Sequence, residues 1–196
     1  MSQVFEMKDL GELHYSLCLE VSRDSRQFFM SESNHVRSLL ENFIMDKCKA
    51  ATTLPLQENI KLKNDDGSKK THATLYMQLV GSLIYLTTIR PYLTYSVSAL
   101  SKYISEPLEC NWVARKVVLR YLHGTLNVGI SYTHSCDVKL TVFLESYCTR
   151  NVHDKRSITC YAFSIGSGVI TWSNKKKNTI SLSCAKVEYQ AMCVAT

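Results

Sequence analysis

The chain has 196 residues, 45% apolar and 20% charged, with 7 Gly and 3 Pro. That length supports one ordinary domain or two small ones, and the scarcity of Gly and Pro excludes collagen-like and low-complexity chains. The net charge of +6 is uneven, with 8 Lys and Arg against 11 Asp and Glu over residues 1–66 and 15 against 6 over residues 67–196, as in a protein that touches a polyanion or one with merely solvated faces.

The first element reads as a strand. Leu13, Tyr15, Leu17, Leu19 and Val21 alternate with more polar residues, the period-2 pattern of a half-buried strand. Ser22 to Arg26 reads as a polar turn and Gln27 to Met30 as the returning strand of a hairpin. Ser31 or Ser33 then suits an N-cap, ahead of a helix whose apolar stripe is Val36, Leu39, Leu40 and Phe43. The long polar connection from Cys48 to Lys70, with Pro55 and Asp65-Asp66-Gly67, is the best candidate boundary.

Helices follow. Leu75 to Ile89 is strongly apolar and should stop at Arg90-Pro91, because the residue before a proline is pushed out of the α region. A second helix is expected over Leu93 to Tyr103. A third is opened by Pro107, carries Trp112, Val113, Lys116, Leu119, Arg120 and Leu122, and ends at Gly124 as a C′ residue. Tyr76, Tyr85, Tyr92, Tyr95, Tyr103 and Tyr121 could stack on bases, but their helical spacing favours core packing. From Gly129 the period returns to 2. Lys139 to Glu145 and Thr159 to Ile165 read as strands, and Gly166-Ser167-Gly168 as a turn into Val169 to Trp172. Lys175-Lys176-Lys177 reads as a break, Thr179 to Ser183 as a further extended piece, and Ala185 onward as a helix.

Eight Cys show no C-x-x-C pair and no His at ligand spacing, so reduced, structural thiols are expected. The six His are unclustered, and Ser181 and Ser183 lack a Gly-x-Ser-x-Gly setting for a nucleophile. Every apolar run is broken before about 18 residues, so no membrane span is expected. The N-terminus lacks a basic region followed by an apolar stretch, so the expectation is an intracellular chain, with cytoplasm and nucleus left open.

Several strings, in order along nearly the whole chain, resemble the Pol polyprotein of copia-type LTR retrotransposons of plants. They are Met7-Lys8-Asp9-Leu10-Gly11-Glu12-Leu13-His14-Tyr15, Leu79-Val80-Gly81-Ser82-Leu83-Ile84-Tyr85-Leu86-Thr87, Arg90-Pro91, Leu119-Arg120-Tyr121-Leu122-His123-Gly124-Thr125, Ile170-Thr171-Trp172-Ser173-Asn174-Lys175-Lys176 and Glu188-Tyr189. The resemblance implies the end of a reverse transcriptase followed by the start of an RNase H. The implied fold is α+β: a hairpin and helices of a palm, thumb and connection remnant, then part of an RNase H-like mixed sheet with three strands and one helix. The implied segments are residues 1–50 (palm-end hairpin and helix), 51–128 (linker and helical thumb or connection) and 129–196 (RNase H-like).

The chemistry implied is phosphoryl transfer by two magnesium ions about 4 Å apart, held by carboxylates, that clamp the attacking and leaving oxygens. The resemblance puts the polymerase's paired aspartates upstream of Met1 and a further RNase H aspartate beyond Thr196. It matches Glu145 to the first-strand Asp of a Tyr-Ser-Asp-Ala-Asp-Trp string, Tyr147 to the second Asp, Glu188 to the helical Glu, and Lys186 to the family's other Glu. Glu145 and Glu188 are therefore candidate catalytic and metal-binding carboxylates in an incomplete set. The lengthened Glu145 moves its oxygens by about 1.5 Å in a site tolerating about 0.5 Å. Mg²⁺ belongs to the parent family, and none is expected in this chain.

Lys116 and Arg120, with Lys175 and Lys176, are candidate nucleic-acid contacts, salt-sensitive and indifferent to sequence; solvated faces remain the alternative. The expected partner is an RNA–DNA hybrid or single-stranded nucleic acid, with no membrane, and another chain is a candidate source of missing sheet strands. The function expected is a truncated Pol fragment without catalysis of its own. The alternatives are a retained nucleic-acid-binding or interaction module, or an RNase H active only when paired with a complementary fragment.

Overall fold

The computed structural model describes residues 11–54, 69–134, 138–147, 156–180, 189 and 192–193. Over the described residues the fold is α+β, with four complete α-helices and two antiparallel sheets. The first sheet has the order β1 (Tyr15–Ser16), β2 (Leu19–Arg23), β3 (Gln27–Ser31), β4 (Gly129–Thr133), each paired antiparallel with its neighbour. The single strand expected over Leu13 to Val21 is instead a tight hairpin of its own. Leu17 and Cys18 take φ of 48° and 61°, so the chain reverses there and pairs Tyr15 with Glu20. The alternation is real, but it is shared by two short strands, and Leu13, Tyr15 and Leu17 stay exposed.

The residues from Gly129 on divide between the two sheets. β4 completes the N-terminal sheet by pairing Ser31 with Gly129 and Phe28 with Tyr132. A side chain at Gly129 would run into the Met30 carbonyl, so this close approach requires glycine.

Helix α1 (Ser33–Asn42) buries Val36, Leu39 and Leu40, the predicted stripe. Its cap differs from the expectation: Glu32 occupies that position without a side-chain cap bond. Ser33 Oγ donates instead to the Leu126 carbonyl at 3.0 Å, and the Glu20 carboxylate accepts from the Asn34 N–H at 2.6 Å. A carboxylate from β2 thus serves an orphan donor of α1, where the helix dipole favours negative charge.

Helix α2 (Ala73–Leu86) ends four residues before Arg90, and Pro91 opens a short 3₁₀ turn leading into α3 (Thr94–Ser101). Helix α4 (Glu109–Gly124) begins where Leu108 N–H donates to Asn111 Oδ1 at 2.8 Å. Val36, Leu79, Leu83, Leu93, Leu100, Leu119 and Leu122 form one apolar core between these helices. Tyr76 is fully buried there, and its hydroxyl donates to the Leu100 carbonyl at 2.9 Å. Tyr92 and Tyr121 pack edge to face with centroids 5.9 Å apart. Among the described residues no helix is long and apolar enough to cross a membrane.

A buried polar joint links α1, α2 and α4. Arg90 is 0% exposed and donates to the Thr125 carbonyl at 2.8 Å and the Leu126 carbonyl at 2.9 Å. Glu32, also 0% exposed, has no hydrogen-bond partner on either carboxylate oxygen. Burial pushes its carboxyl up to about 7, against the opposing pull of Arg90. Nearby, the His35 ring meets Tyr85 edge to face with centroids 5.2 Å apart, and burial holds its imidazole below the ordinary range.

The second sheet has the order β5 (Leu140–Tyr147), β6 (Arg156–Ile165), β7 (Gly168–Ile180), all antiparallel. The break expected at Lys175-Lys176-Lys177 is absent: β7 runs through it, pairing Lys175 with Thr159 and Lys176 with Ile158. A partner strand decides the backbone there, and lysines are well suited to a sheet edge because they discourage further pairing. Three hydrogen bonds dock this sheet on the rest. Tyr132 hydroxyl donates to the Val169 carbonyl at 2.6 Å, Thr133 N–H to Ser167 Oγ at 2.7 Å, and Trp172 Nε1 to the Thr87 carbonyl at 3.2 Å. Among the described cysteines, Cys18, Cys48, Cys110 and Cys160 are half-buried free thiols; Cys136, Cys148 and Cys184 lie outside the described residues, as do the Asp65-Asp66-Gly67 turn, Ser181 and Ser183.

Candidate nucleic-acid interface

Helix α4 separates its cations by face. Arg115 points inward, 4% exposed, its guanidinium over the rings of Trp112 and Phe43. Burial lowers its pKa to about 10, partly opposed by Tyr76. Lys116, one residue on, is exposed. Arg120 follows at i+4 and His123 at i+7, so the three share one stripe.

The connection after α1 lies against this stripe. Arg120 Nε donates to the Lys49 carbonyl at 2.8 Å, and Ala51 N–H to the Arg120 carbonyl at 3.0 Å. Gly124 permits this approach, since a side chain there would meet the Ala51 carbonyl at 2.7 Å. Lys49, exposed and with its backbone against Arg120, is a third cation that the sequence did not single out. Arg120 is half-buried and held in place through Nε.

The remaining candidates lie on the second sheet. Glu145 is exposed on β5, in one cross-strand row with Cys160 on β6 and Asn174 on β7. Lys175 and Lys176 occupy the next rows of β7, near the same end of the sheet as Glu145 and on a different element from Lys116 and Arg120. Glu188 and Lys186 lie outside the described residues. A groove of about 610 Å³ runs between Pro91 and the sheet, lined by Phe143, Glu145, Tyr161, Trp172 and Asn174.

The donor set around Glu145 does not fit a magnesium pair. Mg²⁺ takes hard oxygen ligands in near-octahedral geometry. Beside Glu145 stands the Cys160 thiol, which burial first and the Glu145 charge second push up toward its protonated form. Among the described residues no three His, Cys, Asp or Glu come together as a metal-holding group.

No protein-family model matches the chain, and no solved structure matches it. Curated relatives do. The chain is 30% identical over 195 residues to the uncharacterized mitochondrial protein AtMg00810 of Arabidopsis thaliana, covering 99% of this chain and 80% of that protein. It is 34% identical over 192 residues to the retrovirus-related Pol polyprotein from transposon RE1 of the same plant, covering 98% of this chain and 13% of that one. It is 30% identical over 205 residues to the retrovirus-related Pol polyprotein from transposon TNT 1-94 of Nicotiana tabacum, covering 97% and 15%.

The chain belongs to the retrovirus-related transposon Pol family. It spans only 13% and 15% of the length of those two polyproteins. For this Pol-family chain, helical spacing alone reveals Lys116 and Arg120. Lys49 and the inward turn of Arg115 are tertiary facts. The one signal for Arg115 was its place in the register, three residues after Trp112 and three before Val118, on the apolar side of α4.

Proposed function

We propose that this chain is a nucleic-acid-holding segment of a copia-type Pol polyprotein, from the stretch where reverse transcriptase runs into RNase H. In this reading its own residues bind RNA–DNA hybrid or single-stranded nucleic acid and perform neither polymerisation nor hydrolysis. The reading rests on the cationic stripe of α4 that carries Lys116 and Arg120, with Arg120 bonded to the backbone carbonyl of Lys49, a further exposed cation. Such a face neutralises phosphates and gains by releasing their counterions, which makes binding steep in salt. This reading takes the docked second sheet, with Lys175 and Lys176 in β7, as the start of the RNase H and as a second basic stretch.

The test is fluorescence anisotropy with a labelled RNA–DNA hybrid between about 50 and 200 mM salt. Binding that weakens with salt is expected, and Lys116→Gln and Lys49→Gln should each reduce the slope of log K against log salt by about 1. No binding at low salt, or a slope unmoved by both variants, overturns the proposed interface. Hybrid cleavage in the presence of Mg²⁺ that disappears in Glu145→Gln overturns the non-hydrolytic part.

A further inference from the structure

We infer that the buried joint at Glu32 is a latch set by one proton. With Glu32 neutral, Arg90 clamps the connection between α4 and β4 to the start of α1; with Glu32 ionised, the guanidinium turns to the carboxylate and the connection loosens. Ser33 Oγ and Arg90 Nη2 donate to the same Leu126 carbonyl, at 3.0 and 2.9 Å. Arg90 Nη1 reaches the Thr125 carbonyl at 2.8 Å and the Thr125 hydroxyl at 3.3 Å. Glu32 directly precedes Ser33, so its backbone is tied to the same connection.

The donors and acceptors of this joint do not balance. Both Glu32 oxygens, Arg90 Nε and His35 Nε2 are buried without a partner. A neutral carboxyl tolerates such a setting far better than a carboxylate does, and Arg90 is the cation whose field acts on it. One Nε–H cannot serve two carboxylate oxygens. Full pairing needs the guanidinium fork, and its terminal nitrogens are the ones that hold Thr125 and Leu126. An ionised acceptor therefore competes with two neutral carbonyls for the same donors.

What the clamp holds gives the latch its reach. The segment 125–128 leads from the end of α4 into β4, which pairs Gly129 with Ser31, the residue before Glu32. Tyr132 and Thr133 of β4 in turn bond the second sheet. Burial pushes the Glu32 carboxyl up to about 7, which sets the changeover near neutral pH. The other titratable groups around Glu32 and Arg90 are His35 on α1, Tyr85 on α2, Tyr92 after Arg90 with Tyr121 of α4 behind it, and Cys18 and Glu20 on the first hairpin. Burial moves the Tyr85 and Tyr92 hydroxyls up and the His35 imidazole down, each away from neutral pH and toward the uncharged form.

The experiment is hydrogen–deuterium exchange of the full chain by mass spectrometry, read as protection factors over residues 125–133. From about pH 6 to about pH 8 this segment should lose about tenfold in protection, because the opened joint releases the Glu32 proton near 4.5 and the closed joint near 7. That loss should be unchanged in low urea, since a local opening exposes little new surface. Glu32→Gln, neutral at every pH, should keep its protection across the range, and His35→Phe should keep the parent's loss. Protection independent of pH in the parent, or the same loss in Glu32→Gln, overturns the inference. So does a loss that vanishes in His35→Phe, or one as steep in urea as that of the α2 core, which marks global unfolding. Nucleic-acid binding is read separately, so failure here leaves the α4 interface standing.

Discussion

Replacing Glu32 with glutamine tests the buried joint between α1, α2 and α4. The Glu32 carboxyl is 0% exposed and neither oxygen has a hydrogen-bond partner. Its pKa rises from an ordinary 4.5 to about 7, burial outweighing the attraction of Arg90. The folded chain therefore holds a proton on Glu32 that the unfolded chain has released, throughout the interval between those values. Stability from this group is full below pH 4.5 and is lost as pH rises to about 7. At 1.36 kcal/mol per pH unit, the interval amounts to about 3 kcal/mol. Glu32→Gln keeps the shape and removes the titration. Urea unfolding followed by circular dichroism, from below pH 4.5 to above pH 7, should show the variant gaining on the parent with rising pH, to an advantage of about 3 kcal/mol. Two parallel curves would refute the reasoning. So would a parent that gains on the variant with pH, since that would mean Arg90 outweighs burial.

His35 titrates in the opposite sense. Burial holds its imidazole below 6.5, so its contribution is full above that value and lost as pH falls through the folded pKa; His35→Phe keeps the ring against Tyr85 and should flatten the acid limb of the same unfolding series. Gly168 lies against the Tyr132 ring so closely that a Cβ would overlap it. Gly168→Ala should cost about 1–3 kcal/mol and free the second sheet from its bonds at Tyr132 and Thr133, read as a lower melting temperature and faster limited proteolysis after β4.

The sequence made some elements plain and hid others for identifiable reasons. Val36, Leu39 and Leu40 were legible because a helix repeats every 3.6 residues and buries one stripe. Tyr76 was legible as core for the same reason. The reversal at Leu17 and Cys18 was hidden because neither residue belongs to the types that favour positive φ. The strand through Lys175 to Lys177 was hidden because its partner, not its composition, sets the backbone. β4 pairs with β3 across about a hundred residues of chain, which local pattern does not encode. At the site, spacing placed Lys116 and Arg120 on one face. Lys49 joined them only through the fold, and the Cys160 thiol facing Glu145 follows from a strand register that a single strand does not reveal.

The anchoring of Trp172 has a spectroscopic consequence. The chain has two tryptophans. Trp112 lies beneath the Arg115 guanidinium inside the helical body, while the Trp172 indole bridges the second sheet to the Thr87 carbonyl. Their emission colours should respond to different events, the first to melting of the helices and the second to undocking of the sheet. A single tryptophan left at position 172 therefore makes the chain its own optical gauge of how firmly its two halves are joined.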